Sequence, residues 1–168
     1  MKEKIKSQKA IIAIARRLKR RGKKTVIATG SFDILHRGHL NMLSEAKRQG
    51  DVLIVLINTD KSVRGYKGGL RPVFRENDRA LLLAALECVD YVVLFNQPSP
   101  ISIIKQVRPD VYCNGLDWER KAAKGYCGRN HVIRRTAGVS TTDIVEKIIR
   151  LYCSGGKAPK GRTEALAE

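Results

Sequence analysis

The stretch Val52-Leu53-Ile54-Val55-Leu56-Ile57 constrains the fold more than any other part of the sequence. Six consecutive apolar residues show neither the alternation of a half-exposed strand nor the spacing of an amphipathic helix. Such a run suits a strand buried on both faces, the mark of a parallel sheet covered by helices. The β-branched run Thr25–Thr29 ends in Gly30-Ser31, and Tyr91–Phe95 and Val111–Cys113 also read as strands. His131–Arg134 is a shorter strand candidate. Helical stretches separate them. One runs from His39 to Arg48 and is closed by Gly50; one is opened by Asn77-Asp78 and runs over Arg79–Cys88. Another follows the Ser99-Pro100 pair to about Val107 and is broken by Arg108-Pro109-Asp110, and a last one runs from a Ser140 cap to about Tyr152. Strands alternating with helices predict an α/β fold with right-handed crossovers in a single domain.

In such a sheet, ligands bind beyond the carboxyl ends of the strands, where the strand order reverses. That rule points to the loops Gly30–His39, Asn58–Arg71 and Asn114–Lys121, with the helix start at Ser140 close by. The middle loop, Lys61 to Val73, is rich in glycine and reads as a mobile lid; Lys61 and Arg64 read as solvated.

Charge is concentrated at one end. Residues 1–24 hold eleven Lys and Arg against one Glu, supplying +10 of a net +17. Ile11, Ile12, Ile14, Ala15 and Leu18 form one helical stripe, and Gly22 is a stop. The segment therefore reads as a basic N-terminal helix over 1–23, ahead of a domain over 24–153 and a flexible Gly/Lys/Ala-rich tail over 154–168. The helix could attract anionic ligands or nucleic acid, but a solvated face is the simpler reading. Only 5% of residues are aromatic and none lies in the basic segment, which disfavours a nucleic-acid-binding protein.

The longest apolar runs fall far short of the roughly 18–20 residues of a membrane span. Four scattered cysteines include no C-x-x-C pair, so neither a zinc ribbon nor a thioredoxin-like site is expected. With no secretory signal visible, the expected location is the cytoplasm. The basic, acid-poor start leaves an organellar leader open.

The segment Gly30-Ser31-Phe32-Asp33-Ile34-Leu35-His36-Arg37-Gly38-His39 carries the chemistry. Two of the chain's three histidines flank Gly38 at a helix start, where backbone N–H groups and the helix dipole favour anions. A metal pair and two unrelated histidines are the alternatives. Metal is disfavoured because no carboxylate or cysteine cluster completes a shell nearby.

This motif resembles the G-x-F-D-x-x-H-x-G-H signature of the cytidylyltransferase-like nucleotidyltransferases, over roughly residues 25 to 149. Arg135-Thr136-Ala137-Gly138-Val139-Ser140-Thr141-Thr142 is similar to the family's second signature. The resemblance implies a Rossmann-like doubly wound parallel sheet. It also implies transfer of a nucleoside monophosphate from ATP or CTP to a phosphorylated sugar or polyol, with release of pyrophosphate. Mg²⁺ would come with the triphosphate, no metal site on the protein itself is expected, and relatives are often homodimers. His36, His39 and Lys67 would be catalytic. Gly30, Ser31, Phe32, Asp33, Gly38, Arg79, Asn114, Gly115, Asp117, Arg135, Thr136, Ser140 and Thr141 would bind the nucleotide. Asp33 and Arg71 would meet the acceptor. Trp118 would either pack or touch the ligand.

The first motif, with Gly69–Val73 and Asp78–Val93, looks like heptose 1-phosphate adenylyltransferases, which make ADP-activated heptose for bacterial surface polysaccharide. Arg135–Val145 looks more like glycerol-, choline- and ethanolamine-phosphate cytidylyltransferases. Asn114-Gly115-Leu116-Asp117-Trp118 matches neither group. The longer match makes the heptose-type enzyme the first expectation and the alcohol-phosphate cytidylyltransferase the second.

Overall fold

The computed structural model describes residues 1–115, 123 and 125–153. Asp117 and Trp118, and the tail from residue 154, lie outside the described residues. In chain order the elements are β1 (Ile5–Lys6), α1 (Gln8–Arg20), β2 (Thr25–Gly30), α2 (Arg37–Lys47), β3 (Val52–Asn58) and α3 (Asp60–Lys67). They continue with α4 (Glu76–Ala85), β4 (Tyr91–Phe95), α5 (Ile101–Val107), β5 (Val111–Gly115), β6 (Arg129–Ile133) and α6 (Thr141–Tyr152). The strands form one parallel sheet in the order β1-β4-β3-β2-β5-β6. The order reverses at β2, which pairs with β3 on one side and β5 on the other. This is a Rossmann-like doubly wound sheet, and its switch point lies between β2 and β5.

The four central strands feed two cores, as alternating side chains must. Val26, Ala28, Leu53, Val55 and Ile57 meet Leu43 and Ala46 of α2 and Leu83 of α4. Ile27, Ile54, Leu56 and Tyr112 meet Ile11 and Ala15 of α1 and Ile103 and Ile104 of α5. The unbroken apolar run of β3 therefore serves both layers.

Two local expectations are corrected. The N-terminal segment is not one helix: Ile5 and Lys6 form an edge strand beside Val92 and Val93, and the helix begins only after the Ser7 cap. The region read as a loop from Lys61 contains α3, so Lys61 and Arg64 lie on a helix. The Thr59 hydroxyl caps α3 by accepting from Ser62 N, and fully buried Val63 anchors it despite its glycine content. Among the described residues, no helix is long and apolar enough to cross a membrane.

Candidate active site

A cleft of about 410 Å³ opens at the carboxyl ends of the strands. Its wall includes Gly30 at the end of β2, Asn58 at the end of β3, Phe95 at the end of β4 and Gly115 at the end of β5. The loop from β2 to α2 crosses its floor. Phe32 and Ile34 have φ of 48° and 51°, in the left-handed region that non-glycine residues rarely enter. Strain of this kind persists only where the surroundings over-determine the backbone. Here they do: Arg79 donates to the Ser31 carbonyl at 2.6 Å, and Thr141 Oγ1 donates to the Asp33 carbonyl at 2.9 Å.

His36 is the N-cap of α2, and its Nδ1 accepts from Gly38 N at 3.1 Å. An accepting Nδ1 puts the ring proton on Nε2 and disfavours the imidazolium, which has no lone pair to offer. The ring of His39 stacks on that of His36, with centroids 3.8 Å apart and planes 23° apart, and meets Phe32 edge-on. Gly38 makes the stack possible: a Cβ there would lie 3.0 Å from the His36 ring and 3.3 Å from Val139 Cγ1. The glycine therefore makes room first for a folded-back histidine.

Burial, reinforced by the fields of His36 and Lys67, lowers His39 to about 4, while Asp33 acts the other way. Burial also lowers His36, opposed by Asp143. Both rings are thus neutral donors at neutral pH. Lys67, at the end of α3, donates to Ser31 Oγ at 3.0 Å. Desolvation lowers its pKa, and Arg71, Arg135 and Arg79 act in the same direction. With Lys67, Arg134 and Arg135 on its lining, the cleft suits polyanions.

The low pKa of His39 predicts an acid-sensitive fold. In the unfolded chain this ring takes up a proton near pH 6.5; in the fold it resists until about 4. Its contribution is complete above pH 6.5 and is lost as pH falls towards 4, by at most about 3 kcal/mol. Urea titrations should show His39→Asn with a flatter stability profile than the wild type over that window. Parallel profiles would show that the ring titrates normally.

The second motif is tied to the first. Arg37 donates to the Ala137 carbonyl at 3.2 Å, and Asn41 to Thr136 Oγ1 at 3.1 Å. Ser140 Oγ caps α6 by accepting from Asp143 N. Gly30, Ser31, Phe32, His36, Gly38, His39, Lys67, Gly115, Arg135, Thr136, Ser140 and Thr141 all line the cleft.

Four other residues expected at a ligand lie off its wall. Asn114 is buried in β5. Asp33, 1% exposed, accepts from Arg71 at 3.1 Å and from the backbone N–H groups of Val73 and Phe74 at 3.0 Å each. These bonds, with the Arg71 charge, outweigh burial and hold its carboxyl below the usual range. Asp33 and Arg71 are paired with each other in this structure. Arg79, also 1% exposed, places its guanidinium on Ser31 O, Phe74 O and Asp60 Oδ1. Its role in this structure is to brace the loop beneath the cleft.

The Asn58–Arg71 loop supplies Asn58 and Tyr66 to the opposite wall, but sequence reasoning missed Phe95, Pro98 and Pro100 there. The rule about strand ends would have found the 95–100 loop had it been applied to β4 as well. The basic turn Arg20–Lys24 precedes β2, whose six residues span about 20 Å. Those charges stand more than a Debye length from the cleft, at its far end.

Among known proteins, the family model described as Cytidylyltransferase-like matches residues 27–147. The chain belongs to the cytidylyltransferase-like family. It is 42% identical over 155 residues to the Bifunctional protein HldE of Geobacter metallireducens, covering 89% of this chain and 32% of that protein. It is 43% identical over 131 residues to the Bifunctional protein HldE of Helicobacter pylori, covering 77% and 28%. The chain thus spans about a third of the length of these relatives. A crystal structure of the lipopolysaccharide core biosynthesis protein from Thermoplasma volcanium matches with a TM-score of 0.57 and 32% identity, over 68% of this chain and 97% of that one. In this cytidylyltransferase-like chain, the loop after β2 and the start of α2 hold the stacked histidines, and the loop before α6 joins α2 through Arg37 and Asn41.

Proposed function

We propose that the chain is a nucleotidyltransferase that moves the adenylyl group of ATP onto a heptose 1-phosphate and releases pyrophosphate. The observation that carries this reading is the stack of two neutral histidines at the N-terminus of α2, inside a cationic cleft at the switch point of the sheet. The heptose class is supported by similarity to proteins named HldE and to a lipopolysaccharide core biosynthesis protein.

An oxygen of the acceptor phosphate attacks the α-phosphorus in line, and the bond to the β-phosphate oxygen breaks. A phosphate monoester with a second pKa of about 6 is already ionised at neutral pH, so no protein base has to remove a proton. What the chain supplies is position and charge compensation. The Nε2–H of His36 and the His39 ring face the phosphate chain, while Lys67 and Arg135 balance charge that shifts onto the leaving pyrophosphate. Ser140, Thr141 and Thr142 serve the nucleotide side. On the other wall, Phe95, Pro98 and Pro100 offer apolar surface beside Asn58 and Tyr66, which suits a polyhydroxyl ring.

Among the described residues, no three His, Cys, Asp or Glu could together hold a metal ion, and the carboxylate of Asp33 is already engaged. Mg²⁺ belongs to this proposal as cargo of the triphosphate substrate. The proposal also takes the protein to be a cytoplasmic homodimer.

The similarity of Arg135–Val145 to the alcohol-phosphate cytidylyltransferases supports a second reading, with CTP as donor. A pyrophosphate-release screen crossing ATP and CTP with heptose 1-phosphate, glycerol 3-phosphate and phosphoethanolamine separates the two. The expected result is release with ATP and heptose 1-phosphate. Release only with CTP and an alcohol phosphate would establish the second reading, and silence across the screen would sink both.

A further inference from the structure

Helix α2 turns one edge toward the second motif. Arg37 and Asn41 stand four residues apart, which places them on the same face of the helix. Arg37 donates to the Ala137 carbonyl at 3.2 Å, and Asn41 Nδ2 donates to Thr136 Oγ1 at 3.1 Å. Thr136 lines the cleft, whereas Asn41 does not. The threonine hydroxyl therefore stands between α2 and the space a ligand would fill.

The direction of that hydrogen bond decides what the hydroxyl can offer. A threonine hydroxyl has one proton and two lone pairs. An amide N–H only donates, so Asn41 occupies a lone pair and leaves the Thr136 proton to point elsewhere. Among the described residues, no protein acceptor takes that proton. The oxygens of an ionised phosphate chain only accept, so a hydroxyl on the cleft wall helps such a ligand only as a donor.

We propose that Asn41 is a positioning residue that fixes the polarity of the Thr136 hydroxyl, turning its proton toward the phosphate chain of the bound nucleotide. The inference rests on the nucleotide site proposed above and adds to it a residue that acts only through another. Arg37 holds the adjacent Ala137 carbonyl from the same helix face, so the hydroxyl is oriented on a backbone already tied down. One helix thus sets both the stacked histidines and this donor.

Calorimetric titration of the full chain with ATP and CTP, each with Mg²⁺ and without acceptor, reads the effect as affinity alone. Asn41→Asp keeps the size of the side chain but only accepts, so it draws the Thr136 proton away from the cleft. It should weaken binding about 10–100-fold, the range for losing a hydrogen bond to a charged group. Asn41→Leu leaves the hydroxyl free to rotate and donate, and should stay within about threefold of wild type. Thr136→Val should itself weaken binding about tenfold or more. In that background Asn41→Asp should cost at most about threefold, the part due to its added charge rather than to the hydroxyl. Asn41 is exposed, so the urea midpoints of its variants should stay close to wild type. Equal Asn41→Asp penalties with and without the hydroxyl would overturn the inference. So would Asn41→Leu binding as weakly as Asn41→Asp, the mark of a packing role. Either result, with the wild type binding a nucleotide, leaves the proposed function standing. A wild type that binds neither nucleotide would overturn both.

Discussion

Replacing His39 with alanine should lower the rate of pyrophosphate release by roughly 10²–10³-fold, the loss typical when one preorganised donor is removed from a developing anion. The fold should survive. His39 makes no hydrogen bond through Nδ1 among the described residues, and its packing partners are a phenyl edge and one ring face. Truncation therefore leaves no buried donor or acceptor newly stranded. It opens space that water can enter from the cleft. Circular dichroism and a urea midpoint near wild type should accompany the loss of turnover. His36→Ala should differ in a telling way. It removes the same kind of donor and also uncaps α2, at about 1 kcal/mol. It should therefore lose both rate and a measurable amount of stability. A His39→Ala enzyme turning over at close to the wild-type rate would remove the chemical basis of the proposed function.

Arg79→Met should be the most destabilising single change at the cleft. The guanidinium is 1% exposed and serves three acceptors: the carbonyls of Ser31 and Phe74 and the carboxylate of Asp60. A methionine fills similar volume but leaves those oxygens without donors. Breaking a buried pair from one side costs about 3–5 kcal/mol, a large share of the total stability of a domain. Asp60→Asn should cost clearly less, because asparagine still offers a carbonyl oxygen to the arginine and the site is partly solvated. Urea denaturation of the three proteins should rank wild type, Asp60→Asn and Arg79→Met in descending order. Equal midpoints for Arg79→Met and wild type would mean that the arginine does not brace the loop. Activity should fall in both variants, since Ser31 holds Lys67 from the segment that Arg79 anchors.

The strands were legible because burial on two faces leaves a compositional trace. β3 reads as continuous apolar residues, and β2, β4 and β5 as β-branched or aromatic runs. β1 escaped because two residues carry no period, and Ile5-Lys6 becomes a strand only through its pairing with Val92 and Val93. α3 escaped for a related reason: one buried valine and a threonine cap outweigh the glycines, and neither signal stands out in a basic, glycine-rich stretch. The histidine pair was visible because the motif is short and its spacing local. Its stacking was not visible, since that depends on Val139 and the second motif closing over Gly38.

Taken alone, the order of residues determined a parallel sheet covered on both faces and a pair of imidazoles at the mouth of its first strand. Both follow from contacts within a few residues or from a run of one polarity. The fate of Asp33, Arg71 and Arg79 was decided only by the folded chain. A charged side chain at the head of a loop or helix carries the same local signal whether it awaits a ligand or is already matched. Here the matches are made across 38, 48 and 19 positions of sequence. Which cations face the cleft is therefore settled by where the sheet brings those distant partners, and it leaves Lys67 on the cleft wall while burying Arg79 beneath it.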